Sequence, residues 1–144
     1  MKLAYGGQEW GNSKTFRKSA SWTNYTANFV SNTVKELNLD GVDLVQEHGY
    51  GYDNMDSNGE TSFQLLLLQY LREVMPDKII TYTFPGDTEK INFPFREIAQ
   101  YGHRYLDAIN VFRASQSAMD QLVTEFEVPK SKVCITDFYM MFIF

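Results

Sequence analysis

Cysteine is nearly missing from this chain: Cys134 is the single thiol in 144 residues, so no disulfide framework can form within it and the redox compartment stays open. Sitting in an apolar run, that thiol is expected in the core. Long apolar stretches are lacking as well. The strongest, Phe63 to Leu68, is interrupted by Gln64 and falls far short of the roughly 20 residues that a membrane-spanning helix needs, so no membrane partner is expected. With 13 basic and 18 acidic side chains the formal net charge is -5, and the basic residues are scattered rather than gathered in a stripe, which argues against nucleic acid. No glycine-rich phosphate fingerprint of the G-x-G-x-x-G or G-x-x-x-x-G-K type occurs, so a nucleotide-binding sheet has little support. Neither His48 nor His103 belongs to a zinc-like ligand cluster, and no metal or cofactor is implied. Met1 to Gly7 carries no apolar segment of the secretory kind and reads as the start of a strand.

What the chain does hold is enough apolar material, 44%, for one sizeable core, and a high aromatic share of 15%. Such rings serve either as bulky core or as flat platforms under sugars. Lys2 to Tyr5 is a short strand ending at Gly6-Gly7. A long helix follows, capped by Thr23 and closed by Asn38, with Tyr25, Phe29, Val30, Thr33, Val34 and Leu37 at the spacing of one buried face. Gly41 to Val45 is a strand, and the Gly-, Asp- and Asn-rich segment from His48 to Glu60 an exposed loop. A helix over about Thr61 to Val74 stops at Pro76-Asp77, before a β-branched strand over Lys78 to Phe84. Weak helical signals over Pro94 to Tyr105, a strand over Ala108 to Phe112, a helix over Ser115 to Phe126 and a strand over Lys132 to Ile135 complete a βαβαβαβαβ order. Strands joined by helix-length crossovers imply a parallel sheet, either a barrel or a doubly wound sheet. Without a phosphate loop, the barrel leads.

The richest stretch is Asp40-Gly41-Val42-Asp43-Leu44-Val45-Gln46-Glu47. Strand alternation puts Asp43, Val45 and Glu47 on one face and Val42 and Leu44 on the other, toward helices. Glu47 would then emerge at the strand's C-terminal end, where barrel enzymes place their chemistry.

These residues resemble the D-G-x-D-x-D-x-E signature of the fourth strand in family 18 glycoside hydrolases, the chitinases and chitinase-like proteins. Asp40, Gly41, Asp43 and Glu47 match it, and Val45 stands where its third aspartate does. Ala4-Tyr5-Gly6-Gly7 resembles the S-x-G-G of the third strand, with Ala4 for serine, while Tyr82 to Gly86, Leu106 to Val111 and Val128 to Tyr139 resemble the fifth, sixth and seventh. The resemblance implies an α/β fold, a partial (β/α)8 TIM-type barrel with parallel strands and outer helices, residues 1–144 forming one truncated domain of about the third to seventh strands. Such an unclosed sheet has two open edges, which favour self-association.

In that family the glutamate protonates the leaving glycosidic oxygen while the substrate's own N-acetyl carbonyl attacks the anomeric carbon. The resemblance therefore makes Glu47 the acid, with Asp43 below it as a supporting and more structural carboxylate. Val45 removes the aspartate that stabilises the oxazolinium charge. Phe112-Arg113-Ala114-Ser115 replaces the M-x-Y-D of the sixth strand, removing a tyrosine that holds the acetamide. Losing one preorganised partner costs on the order of 10²–10³ in turnover, so weakened catalysis is implied, with a lectin-like pseudoenzyme or a non-functional fragment as the alternatives. The expected ligand is chitin or an N-acetylglucosamine oligosaccharide, with Trp10, Tyr50, Tyr52 and Tyr139 as stacking candidates on the barrel's top face. An extracellular location follows from the same kinship.

Overall fold

A computed structural model describes residues 1–6, 20–46, 63–86 and 95–136. Its strands are β1 (Lys2–Gly6), β2 (Gly41–Val45), β3 (Ile79–Pro85), β4 (Ala108–Phe112) and β5 (Val133–Thr136). Its helices are α1 (Ala20–Glu36), α2 (Phe63–Val74), α3 (Phe95–Glu97, continued by a π turn and a 3-10 turn to Tyr105) and α4 (Gln116–Asp120, continued by a π turn to Glu125). The strands pair in parallel in the order β1-β2-β3-β4-β5, so each crossover sets a strand directly beside its predecessor. The sheet is an open α/β arrangement of the kind found in part of a TIM-type barrel.

One face of the sheet supplies the core. Val42, Leu44, Ile80, Tyr82, Phe84, Ile109 and Val111 project from it and are fully buried beneath the helices. Helix α2 runs between α1 and the π turn Ile98–Gly102 and buries Leu65, Leu67, Leu68 and Leu71. Each buried leucine contributes about 1.5–3 kcal/mol. Gly102 permits that closeness, since a methyl there would lie 3.1 Å from Leu68 Cδ1.

Helix α1 ends in a Schellman motif. Asn38 takes a left-handed φ of 49°, its N–H donates to Lys35 O at 3.1 Å, and the Leu39 N–H donates to Val34 O at 2.9 Å. Asn38 thus closes the helix as expected. The buried face of α1 differs from the expected one. Thr23, Thr26, Ala27, Val30, Ser31 and Val34 face inward, while Tyr25, Phe29 and Leu37 are 70%, 51% and 62% exposed. The helix lies close against its neighbours, so small residues and valines line the contact and the larger rings turn outward. Thr23 is accordingly a buried residue inside the helix and not its cap.

At the N-terminal ends of the strands, three cations absorb carbonyls that the turns leave unpaired. The Arg72 guanidinium donates to Tyr105 O at 2.9 and 3.0 Å, Lys78 O at 3.0 Å, Pro76 O at 3.1 Å and Asp107 Oδ2 at 2.8 Å. Asp107 Oδ2 also accepts the Ile80 N–H at 2.8 Å. Burial works against the Asp107 charge, but the Ile80 N–H and Arg72 outweigh it and hold the carboxyl below the usual range. Lys78 Nζ donates to Leu39 O at 2.7 Å and Lys132 Nζ to Leu106 O at 2.7 Å.

Candidate functional site

The opposite face of the sheet is polar. In the parallel register Ala4, Asp43, Thr81 and Ala108 stand abreast in one layer, and Gly6, Val45, Thr83, Asn110 and Cys134 in the next layer toward the strands' C-terminal ends. Residues abreast in register share a face, so the alternation of β2 and of Thr81-Tyr82-Thr83 aims one carboxylate and two hydroxyls at a common point.

Asp43 is that point. Its Oδ1 accepts from Thr81 Oγ1 at 2.5 Å and Thr83 Oγ1 at 2.9 Å, with Asn110 Nδ2 at 3.3 Å, and its Oδ2 accepts from Thr83 Oγ1 at 2.8 Å. Asn110 Nδ2 also donates to Thr83 Oγ1 at 3.0 Å, and Lys2 Nζ donates to Thr81 Oγ1 at 3.0 Å. The direction of every bond follows from chemistry. An ionised carboxylate only accepts, so both threonine hydroxyl protons turn toward it, and the lone pairs left on those oxygens receive Lys2 and Asn110. Hydrogen bonds to an ionised acceptor are worth about 1.5–3 kcal/mol each. Asp43 therefore orders this face by acting as its common acceptor. Where the family resemblance places a serine, Ala4 lies beside Asp43, and the donors come from β3 and β4 on its other side.

Val45, half-buried, follows on β2 between Gly6 and Thr83, so the layer next to Asp43 carries no second carboxylate. The end of β2 is clamped from the helix side. Tyr82 Oη donates to Gln46 Oε1 at 2.5 Å within the core, and the Gln46 N–H donates to Thr83 O at 2.9 Å. Burial, helped by the charge of Glu97, pushes the Tyr82 hydroxyl far up, so it remains a donor throughout the working pH range. After β4, Arg113 adopts a left-handed φ of 52°, and Gly86 closes on the same turn. Its N–H donates to Phe112 O and its carbonyl accepts the Ser115 N–H, at 2.9 and 2.8 Å.

Of the residues singled out from the sequence, Asp43 sits on the inner face as expected. Glu47, Trp10, Tyr50, Tyr52 and Tyr139 lie outside the described residues. The sequence reading missed Thr81, Thr83, Asn110 and Lys2. A usable signal was present in Thr81-Tyr82-Thr83, where hydroxyls alternate on a strand adjacent to Asp43. Cys134, expected in the core, is exposed. It belongs to the inner face of an edge strand, which the helices do not cover. Among the described residues no three His, Cys, Asp or Glu side chains gather as metal ligands, and no helix is long and apolar enough to cross a membrane.

No protein-family model matches the chain, and no curated protein matches it. Solved structures do. The chitinase domain of the spore coat protein CotE from Clostridium difficile is similar at a TM-score of 0.64 and 19% identity, over 94% of this chain and 48% of that one. A GH18 chitinase from Pseudoalteromonas aurantia is similar at a TM-score of 0.60 and 18% identity, over 93% of this chain and 55% of that one. An endo-β-N-acetylglucosaminidase from Cordyceps militaris is similar at a TM-score of 0.60 and 11% identity, over 94% and 45%. The chain spans about half the length of these proteins. Five parallel strands in sequential order, an open sheet and these likenesses together give the chain the fold of part of a family 18 chitinase-like barrel.

Proposed function

We propose that this chain is a chitinase-like glycoside hydrolase domain that binds β-1,4-linked N-acetylglucosamine polymers outside the cell and turns them over slowly. The observation that supports the reading is β2, which sets Asp43 on the inner face with Val45 in the next layer, Val45 standing where the signature that this strand resembles carries its third aspartate. In this reading Glu47 donates the proton to the leaving oxygen, and the substrate's own acetamide is the nucleophile. Valine offers neither charge nor hydrogen bond to the oxazolinium ion, so recognition outlasts catalysis.

Hydrolysis of a fluorogenic chitooligosaccharide by the parent chain, Glu47→Gln and Val45→Asp tests this, each protein first shown to melt cooperatively. Slow turnover by the parent is expected, with loss in Glu47→Gln and a gain toward 10²-fold in Val45→Asp. The second reading is a lectin-like pseudoenzyme, favoured by the coincidence of Val45 with Ala114 where an acetamide-binding tyrosine would stand. It predicts oligosaccharide binding with no turnover by the parent. A folded parent that neither binds nor hydrolyses the oligosaccharide rejects both.

A further inference from the structure

The sheet ends at β1, which pairs with β2 on one side and forms an open edge on the other. Helix α1 overhangs that edge. It packs on β2, and its Thr26 side chain is hydrogen-bonded to Tyr5 of β1, so α1 lies over the first two strands. Trp22, Thr26, Phe29 and Thr33 recur at helical spacing and therefore share the flank that Thr26 turns toward β1. Phe29 is exposed on that flank, and Tyr25 is exposed one turn before it. Between Ala20 and Val34 the helix sequence has no charged residue, although much of its surface meets solvent. The solvent face of a surface helix usually includes charged side chains, whereas the centre of a protein interface is poor in them and rich in aromatic rings.

We propose that this flank and the β1 edge together form a dimer interface with a second copy of the chain, β1 lying antiparallel to the same strand of its partner. The edge is self-complementary. A two-fold axis through Ala4, normal to the sheet, sets Leu3 against the partner's Tyr5 on the helix side and Lys2 against the partner's Gly6 on the other, so no like charges meet. The same axis serves the helices. Strands rise about 3.3 Å per residue and helices about 1.5 Å, and a crossover helix returns antiparallel to its strand, so one position back from Tyr5 matches about two positions on from Thr26. Ala4 is thus level with Asn28 and Phe29, which places the Phe29 rings of the two copies beside the axis. Seated between β1 and β2, each α1 lies about 5 Å from the axis and about 10 Å from its counterpart, an ordinary helix-packing distance. Glu36, at the end of each helix, comes level with the start of the opposing α1, whose free N–H groups favour an acid.

Sedimentation equilibrium of the chain over about a hundredfold range of concentration should show its mass rising from one chain to two. Phe29→Ser should weaken that association about tenfold or more, since the two-fold applies each loss twice, while its denaturant midpoint in dilute solution matches the parent's. A double variant, Ala4→Cys with Cys134→Ser, leaves one thiol per chain. Antiparallel strands hold opposite Cα atoms about 4.5–5.5 Å apart, within disulfide reach, so mild oxidation should trap a covalent dimer, and adding Phe29→Ser should remove most of it. A chain that stays monomeric throughout overturns the proposal and leaves the flank to a different polypeptide. A dimer that gives no covalent link in the double variant, or that Phe29→Ser leaves as tight, overturns it as well and moves the interface to another surface such as the β5 edge.

Discussion

On its helix-covered face the sheet carries Val42, Leu44, Ile80, Tyr82, Phe84, Ile109 and Val111, fully buried, whereas its other face carries Ala4 and Val45 beside Asp43, Thr81, Thr83 and Asn110, whose side chains are joined by hydrogen bonds. The same five strands therefore hold a packed core on one side and a directional polar network on the other. Packing tolerates no gap and no added atom. The network tolerates exchange of a group, provided each donor keeps an acceptor. The two faces should accordingly break in different ways.

The largest effect is expected at Gly41, where the strands themselves come too close for a side chain. A methyl carbon added there would lie 1.9 Å from Ile79 O, a main-chain atom of β3 at the position paired with Gly41. Gly41→Ala must push β2 away from β3 and disturb both faces together, at about 3 kcal/mol or more. Urea denaturation should show a lowered midpoint or no cooperative transition. Leu44→Ala, one strand face away, should cost about 2–5 kcal/mol through its cavity alone. A Gly41→Ala protein as stable as the parent would show that the two strands are free to separate at that point.

An intermediate effect is expected at the N-terminal ends of the strands. Arg72→Met would leave the carbonyls of Tyr105, Pro76 and Lys78 without their donor and Asp107 without its ion partner, at about 1–3 kcal/mol given how much solvent reaches the group. The Asp107 carboxyl has a lower pKa folded than unfolded. It therefore contributes stability that is complete above its unfolded value of about 4 and drains away as pH falls through the folded value. Thermal melts between pH 7 and pH 3 should show that loss in the parent and a shallower acid limb in Asp107→Asn. An acid limb of equal depth in both would assign the loss to other carboxylates.

Much of this architecture was legible from residue order, for a physical reason. The strands over Gly41 to Val45 and Ala108 to Phe112 are short, apolar on alternate positions and bounded by turn-forming residues, and nothing outside them is needed to recognise them. The inner face of β2 was legible through Asp43 for the same reason. Its partners were not, because which residue of β3 stands beside Asp43 depends on register, and register is settled by helix packing and strand spacing remote from the strand itself. Thr81 and Thr83 read as β-branched strand formers, and only pairing turns them into donors. Asn110 likewise passes for an ordinary polar position until β4 lies against β3. Cys134 was misplaced because apolar neighbours do not distinguish a core strand from an edge strand.

Helix α1 shows how periodicity misleads about direction, and it supplies the smallest expected effect. Tyr25, Phe29 and Leu37 fall at multiples of four, a stripe as regular as Thr23, Ala27, Val30 and Val34, and hydropathy alone favours the larger residues as the buried set. Close packing reverses the choice, since a helix pressed near its neighbours accommodates threonine, alanine and valine more readily than rings. Tyr25→Ser and Phe29→Ser should each change stability by about 0.5 kcal/mol or less, because both side chains already meet solvent. Ala27→Leu, on the buried side one residue from Thr26, should lose about 1–3 kcal/mol through overpacking. Denaturant midpoints for these three variants decide between the stripes. A neutral Ala27→Leu together with costly Tyr25→Ser and Phe29→Ser would mean that the helix presents its aromatic side to a packed neighbour, and that the polar network, rather than the fit of α1, sets the tolerance of this half of the sheet.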